Sequence, residues 1–334
     1  MRAWQLLEFG DPPRIELRDV PDPEPTAGEV VIDLRAAALN RRDAWVWSFR
    51  DYCPLPVTLG SDGAGVVSAI GPATKGISIG DEVMFDPTLG WGDREERPAG
   101  TFDILGAPRD GTFAERVVVP AANVVPKPSR LSWVEAAALN LAGLTAWRAV
   151  ATCAEPKVGS SLLVTGAGGG VATFAIQIAV ALGARVVVSS STRAKINRAI
   201  GLGALGGVSY LDADWPMLLR QLAGGAVDAA IDGYGGSAWE GVLAALRPGG
   251  RLICYGDTSG PSTTLTTAEV YWRWRRIIGT SMGSPREYRA LVAHVAHADW
   301  RPVIDSVFPF ESLPAAVIRM SERERFGKVV LRIP

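Results

Sequence analysis

The stretch Ser161–Lys195, SLLVTGAGGGVATFAIQIAVALGARVVVSSSTRAK, constrains the fold more than any other part of the chain. An apolar run, Leu162–Thr165, meets Gly166, Gly168, Gly169 and Gly170. It then passes into a helix-like apolar segment, Val171–Leu182, and re-enters a second apolar run, Arg185–Val188. That succession is strand, tight turn, helix, strand. The glycines let the backbone turn sharply and let a ligand approach closely, while the helix start directs its unpaired N–H groups and positive dipole end at an anion. The expected guest is the pyrophosphate of a dinucleotide, cradled by Gly166, Gly168, Gly169, Gly170 and Val171. The G-x-G-x-x-G spacing is met only through Gly166-x-Gly168, and Val171 stands where the third glycine would be.

The end of the second strand refines the cofactor. An NAD site carries Asp or Glu there to accept from the ribose hydroxyls. This chain has Ser189, Ser190, Ser191 and Thr192, then Arg193 and Lys195. Hydroxyls and cations suit a 2′-phosphate through charge-assisted hydrogen bonds, so NADP(H) is expected, with Ser190, Ser191, Arg193 and Lys195 as the phosphate set. The alternative is a solvated polar turn that caps the next helix.

At 334 residues the chain has room for two domains. Its 34 basic and 35 acidic residues leave no electrostatic case for nucleic acid or an anionic membrane. Three scattered cysteines, Cys53, Cys153 and Cys254, argue for a reducing compartment rather than a disulfide framework. The start MRAWQLLEFGD has no basic-then-apolar leader, and Val171–Leu182 is too short to span a bilayer, so a cytoplasmic protein is expected. The aromatic group Trp45, Trp47, Phe49 and Tyr52 either walls a pocket or belongs to the core.

In order along the chain, residues 1–130 read as short strands and turns, with apolar runs at Val30–Leu34, Ala64–Ile70, Glu82–Phe85 and Phe113–Val119, which suggests a β-rich, partly open barrel. Ser132-x-x-Glu135 is a capping box that opens a helix. Residues 131–283 alternate strand and helix, the pattern of a doubly wound parallel sheet, a Rossmann-type α/β domain. The strand ends then align Gly166–Val171, Ser189–Ser191, Asp232–Gly236 and Tyr255–Asp257 along one edge. Asp232, Tyr255, Gly256, Ser281 and Met282 join the expected cofactor contacts, and Tyr210 and Tyr255 either flank the cofactor's rings or pack in the core. Residues 284–334 return to mixed character: a helix Pro285–His297, a strand near Val303–Val307, a helix Ser312–Ser321 and a strand Lys328–Ile333.

This order resembles the medium-chain dehydrogenase/reductase superfamily, and within it the quinone oxidoreductase-like branch. The carriers are Gly28-Glu29-Val30, Ala37-Ala38-Leu39-Asn40 with Asp43, Leu59 through Val67, Gly80-Asp81-Glu82-Val83, Gly111 through Glu115, Glu135-Ala136-Ala137, Leu144-Thr145-Ala146-Trp147, the glycine turn, and Phe326-Gly327-Lys328-Val329-Val330. The resemblance implies that the N-terminal domain is GroES-like and that the C-terminal segment returns to it. It also shows two departures. Where zinc-dependent members place Cys, His-Glu and a further Cys or Asp, this chain has Asn40, Ser61-Asp62 and Leu141, so no metal is expected. Where such members carry four cysteines, Pro87–Gly106 has Trp91, Arg94 and Arg97 at the spacing of the first three, either a lobe that has lost structural zinc or a plain polar loop. His294 and His297 are expected to be surface or packing residues.

By this resemblance the chain is an NADPH-dependent, zinc-independent reductase that transfers hydride to a quinone or an α,β-unsaturated carbonyl. Asn40 would bond the substrate carbonyl or the nicotinamide carboxamide, with Asp43 orienting it or lying on the surface. Thr145 would lie beside the nicotinamide or satisfy a helix carbonyl. Tyr52 is either a proton donor or a packing residue. The alternatives are reduction of an enoyl thioester or biosynthetic intermediate, and a protein that binds NADPH without catalysis. The apolar run Ile277–Ser281 would be an outer strand, which predicts a homodimer joined at that edge.

Overall fold

The computed structural model describes residues 1–48 and 53–334. The chain forms two compact units, Met1–Ala142 with Ser284–Pro334, and Gly143–Gly283.

In the first unit, a largely antiparallel sheet runs in the order Val124–Pro126, Glu82–Phe85, Asp62–Ile70, Glu29–Ala38, Lys328–Arg332, Ile304–Pro309, with Arg116–Pro120 also paired to Glu29–Ala38. A smaller sheet joins Arg14–Asp19, Arg2–Glu8 and Val57–Thr58. The hub strand Glu29–Ala38 is ten residues long; seven of its residues are apolar and buried, Glu29 and Asp33 are partly buried, and Arg35 is exposed. Its register positions the polar cluster described below. Ala38 faces Asp62 on one side and Val330 on the other, so the ends of three strands meet where Asn40, Asp62 and Lys328 lie. Leu6, Ile32, Leu34, Phe85, Phe113, Phe310 and Leu331 fill the core beneath.

The expected strand Phe113–Val119 starts later, at Arg116. Phe113 is buried all the same, because its ring packs at the Gly60 turn, where an added Cβ would meet it at 2.6 Å. The helix Arg41–Ser48 was not legible as one; it buries Asp43 and Val46 and leaves Trp45 45% exposed. Phe49 and Tyr52 lie outside the described residues. In the lobe Pro87–Gly106, Thr88–Leu89 pairs with Asp103–Ile104. Trp91 is buried there edge-on to Phe102, with ring centroids 5.7 Å apart, and its Nε1 donates to the Arg94 carbonyl. Arg94 and Arg97 are exposed.

The second unit is a six-stranded, all-parallel sheet in the order Gly206–Ser209, Arg185–Ser190, Ser161–Val164, Val227–Asp232, Leu246–Cys254, Arg276–Gly279. Numbered along the chain within the unit, this is 3-2-1-4-5-6, and strand order reverses between the first and fourth strands. Val186, Val187 and Val188 are all fully buried, since helices cover both faces of such a sheet. Among the described residues no helix is long and apolar enough to cross a membrane. Cys53, Cys153 and Cys254 are free.

Candidate functional site

Two constellations carry chemistry, one in each unit. In the parallel sheet, Gly166 has φ +66° and Gly168 φ +117°, a backbone that side chains rarely tolerate. The helix Gly170–Ala181 follows, with Gly169 at its N-cap and no side chain capping its first turn. Those N–H groups therefore remain available to an anion. Ser190, 2% exposed, donates from Oγ to the Ala167 carbonyl at 3.0 Å, so it braces the turn instead of reaching outward. Thr192 accepts from the Lys195 N–H and caps the helix Arg193–Gly201, leaving Arg193 exposed at its first turn. Capping by Thr192 and an exposed Arg193 occupy the same turn, so the two readings do not exclude each other.

Asp232 is fully buried, and both its oxygens are engaged inside the protein. Thr165 Oγ1 donates at 2.7 Å and the Tyr234 N–H at 3.3 Å to Oδ1; the Gly235 N–H at 2.9 Å and Trp239 Nε1 at 3.0 Å donate to Oδ2. Expected as a cofactor contact, it instead holds the turn after its strand. That turn carries Tyr234, a residue the sequence reading did not single out. An added Cβ on Gly166 would meet the Tyr234 ring at 2.6 Å, and the Tyr234 hydroxyl donates to Tyr210 Oη at 2.7 Å, the rings 5.1 Å apart. The two tyrosines line a cavity of about 570 Å³ with Thr165, Ser189, Trp215 and Glu240, within the range of small-ligand pockets. Glycine turn, uncapped helix start and aromatic-walled cavity at the strand ends together fit a dinucleotide.

The other expected contacts are more dispersed. Tyr255 packs its ring against Gly233, and burial pushes its hydroxyl pKa well up. Gly256 follows it, its carbonyl accepting from Cys254 Sγ. Met282 is buried at φ +56° and Ser281 is exposed. Thr145 is 5% exposed, one turn beyond Leu141 in the helix Trp133–Trp147. That helix opens with the expected capping box, Ser132 and Glu135 each bonding the other's backbone N–H.

In the first unit, Asn40, Asp62 and Lys328 form a buried polar cluster. Lys328 Nζ donates to Asn40 Oδ1 at 2.6 Å and to Asp62 Oδ2 at 2.9 Å, and Asn40 Nδ2 donates to the same Asp62 oxygen at 2.8 Å. Asp62 Oδ1 accepts from the Leu141 N–H at 2.7 Å. The side chains of Lys328 and Asp62 are 3% and 0% exposed. Asp43 accepts from the Asn40 N–H at 2.7 Å, so it does orient the Asn40 backbone; burial, helped by the charge of Asp62, lifts its pKa to about 6. Ser61 Oγ donates to the Leu105 carbonyl at 2.7 Å. Lys328 opens the strand Lys328–Arg332, whose other cation, Arg332, is exposed at the far end; a lysine beside the apolar run Val329–Leu331 was the available sequence signal. Among the described residues, no three His, Cys, Asp or Glu side chains are grouped to hold a metal ion. His294 packs tilted against Trp300 at 6.0 Å.

Residues 26–129 match the alcohol dehydrogenase GroES-like domain and residues 170–297 the zinc-binding dehydrogenase domain. A zinc-type alcohol dehydrogenase-like protein of Schizosaccharomyces pombe is 34% identical over 92% of this chain and 91% of its own. A quinone oxidoreductase of Pseudomonas aeruginosa is 28% identical over 98% of each. The crystal structure of an NAD-dependent alcohol dehydrogenase superposes with a TM-score of 0.94 at 40% identity, covering 100% of both chains. The chain therefore belongs to the medium-chain dehydrogenase/reductase superfamily, as an oxidoreductase that uses a nicotinamide dinucleotide.

Proposed function

We propose that this protein is an NADPH-dependent, metal-free reductase of quinones or α,β-unsaturated carbonyls. The observation that carries the metal-free part is the Lys328 ammonium bonded to Asn40 and Asp62. A divalent cation bound by that carboxylate would have to displace the ammonium, and neither the Leu141 side chain nor the engaged Ser61 hydroxyl offers a ligand zinc favours. When bound, NADPH supplies the hydride. The protein's part is to bind and orient. Gly166–Gly170 and the uncapped helix start receive the pyrophosphate, the Tyr210–Tyr234 pair walls the adenosine side, and Arg193 with Ser191 and Lys195 takes the 2′-phosphate. Asn40 presents a neutral amide donor toward a carbonyl oxygen, and Thr145 stands beside the nicotinamide.

The strand Arg276–Gly279 closes the parallel sheet on one side, and Tyr271, Trp272 and Trp274 beside it are 64%, 73% and 77% exposed. A second copy pairing at this edge forms the dimer, which sedimentation equilibrium would refute by giving a monomer mass. Free cysteines suit the cytoplasm.

The test is oxidation of NADPH against NADH over a panel of quinones, alkenals and enoyl thioesters, with and without chelator. Chelator-insensitive turnover that prefers NADPH is expected. Zinc-dependent alcohol oxidation, or a preference for NADH over NADPH, would overturn the corresponding part. Tight NADPH binding without turnover on any acceptor would point to a non-catalytic protein.

A further inference from the structure

The Asn40–Asp62–Lys328 cluster has more to give than to receive. An ammonium has three N–H donors and a primary amide two. Lys328 uses two, on Asn40 Oδ1 and Asp62 Oδ2, and Asn40 Nδ2 uses one, on the same Asp62 oxygen. Among the described residues, each nitrogen thus keeps one N–H without an acceptor. The Asp62 carboxylate is meanwhile filled from both sides, its other oxygen taken by the Leu141 N–H. Buried donors are as a rule paired, and a buried ion pair seldom repays its desolvation as a stability device. Two spare donors on adjacent nitrogens, one of them cationic, are the recognition chemistry of an oxygen that carries negative charge.

We infer that Lys328 and Asn40 together form an oxyanion-binding site, with Asp62 as the residue that positions both. The inference deepens the function proposed above and rests on it for the identity of the substrate. As hydride adds to the electrophilic carbon of the conjugated acceptor, the π electron pair moves toward the carbonyl oxygen. That oxygen becomes an enolate that takes a proton from solvent; with a quinone, the carbon that took the hydride then loses a proton to solvent while the second oxygen gains one, which gives the hydroquinone. Lys328 and Asn40 hold the oxygen while it bears that charge and keep their own protons. Lys328 is therefore a catalytic residue that the sequence alone did not reveal.

The probe is 4-nitrophenol, whose phenolate and phenol forms are told apart by absorbance, bound to the full chain saturated with NADP+. The wild type is expected to bind the phenolate in preference to the phenol. Lys328→Met is expected to weaken phenolate binding roughly ten- to a hundredfold, the worth of one hydrogen bond to a charged group, with NADP+ affinity unchanged. Lys328→Arg should retain most of the binding. Because Lys328→Met leaves Asp62 unpaired, the double variant Asp62→Asn/Lys328→Met removes both charges together and should lose the phenolate equally. A wild type without preference for phenolate, or a Lys328→Met variant that binds it like the wild type, overturns the inference. A wild type that reduces no quinone or enone, yet binds phenolate through Lys328, refutes the substrate assignment and leaves the oxyanion site standing.

Discussion

Asp86 offers a sharp test of how burial sets charge in the first unit. It follows the strand Glu82–Phe85 and is 2% exposed. Its Oδ1 accepts from the Thr88 N–H at 2.8 Å, whereas Oδ2 is buried with no hydrogen-bond partner among the described residues. Burial lifts its pKa from the ordinary 3.8 to about 7, against the hydrogen bonds from Thr88 and the charge of Arg289. The native state thus holds this proton more tightly than the unfolded chain. The associated stability is fully present below pH 3.8 and is lost as pH rises through about 7. Integrated from pH 5 to pH 8, this single group should cost the wild type about 2.5 kcal/mol. Asp43, raised to about 6, acts in the same direction, and His294, lowered by burial, acts in the opposite one. The substitution Asp86→Asn isolates the Asp86 contribution. Asparagine keeps an oxygen for the Thr88 N–H and cannot ionise; its buried NH₂ costs ~1–3 kcal/mol, equally at both pH values. Urea unfolding of the two proteins at pH 5 and pH 8 reads the difference. The variant should gain about 2.5 kcal/mol on the wild type between those pH values. An offset that does not change with pH would show that Asp86 is ionised throughout, and that the protein interior solvates its free oxygen better than burial suggests.

Two further predictions concern the dinucleotide unit. Gly166→Ala places a Cβ at φ +66° and 2.6 Å from the Tyr234 ring, so NADPH affinity measured by fluorescence should fall about tenfold or more while the antiparallel unit stays folded. Unchanged affinity would mean the Tyr234 ring is free to leave the turn. Arg193→Glu puts a carboxylate where the 2′-phosphate is expected; NADPH binding should weaken by roughly ten- to a hundredfold while NADH binding is spared. Equal loss of both cofactors would refute the phosphate assignment.

What was legible in the sequence was local. The glycine turn, the apolar runs on either side and the capping box at Ser132 each declare themselves within a few residues, because turn chemistry and periodicity are short-range. The helix Arg41–Ser48 was not legible, since Trp45, Val46 and Trp47 form a run with no single apolar stripe. Lys328 was visible as a letter but not as a site. Its bond to Asn40 spans 288 positions and exists only because the register of three strands brings Ala38, Asp62 and Val330 abreast. Asp232 shows the converse. Its place at a strand end drew it toward the cofactor, but four donors nearby absorb its charge and make it the anchor for Tyr234.

The choice of acceptor follows from what an ammonium can and cannot do. A bound divalent metal lowers the pKa of a coordinated hydroxyl by many units, which is how alcohol oxidation proceeds near neutral pH. Lys328 and Asn40 offer only donors, so they cannot take a proton from an alcohol, and Asp62 already accepts from three groups. The same donors are well matched to a phenolate-like oxygen. Delocalisation over a ring or an enolate makes such an oxygen a far weaker base than the localised alkoxide left by an isolated ketone, so hydrogen bonds from charged and amide donors are suited to hold it. For the reductase proposed above, a cluster whose unfilled groups are all donors would favour reduction of conjugated acceptors over oxidation of alcohols. It would do so by the placement of one cation, through a register that no short stretch of the sequence displays.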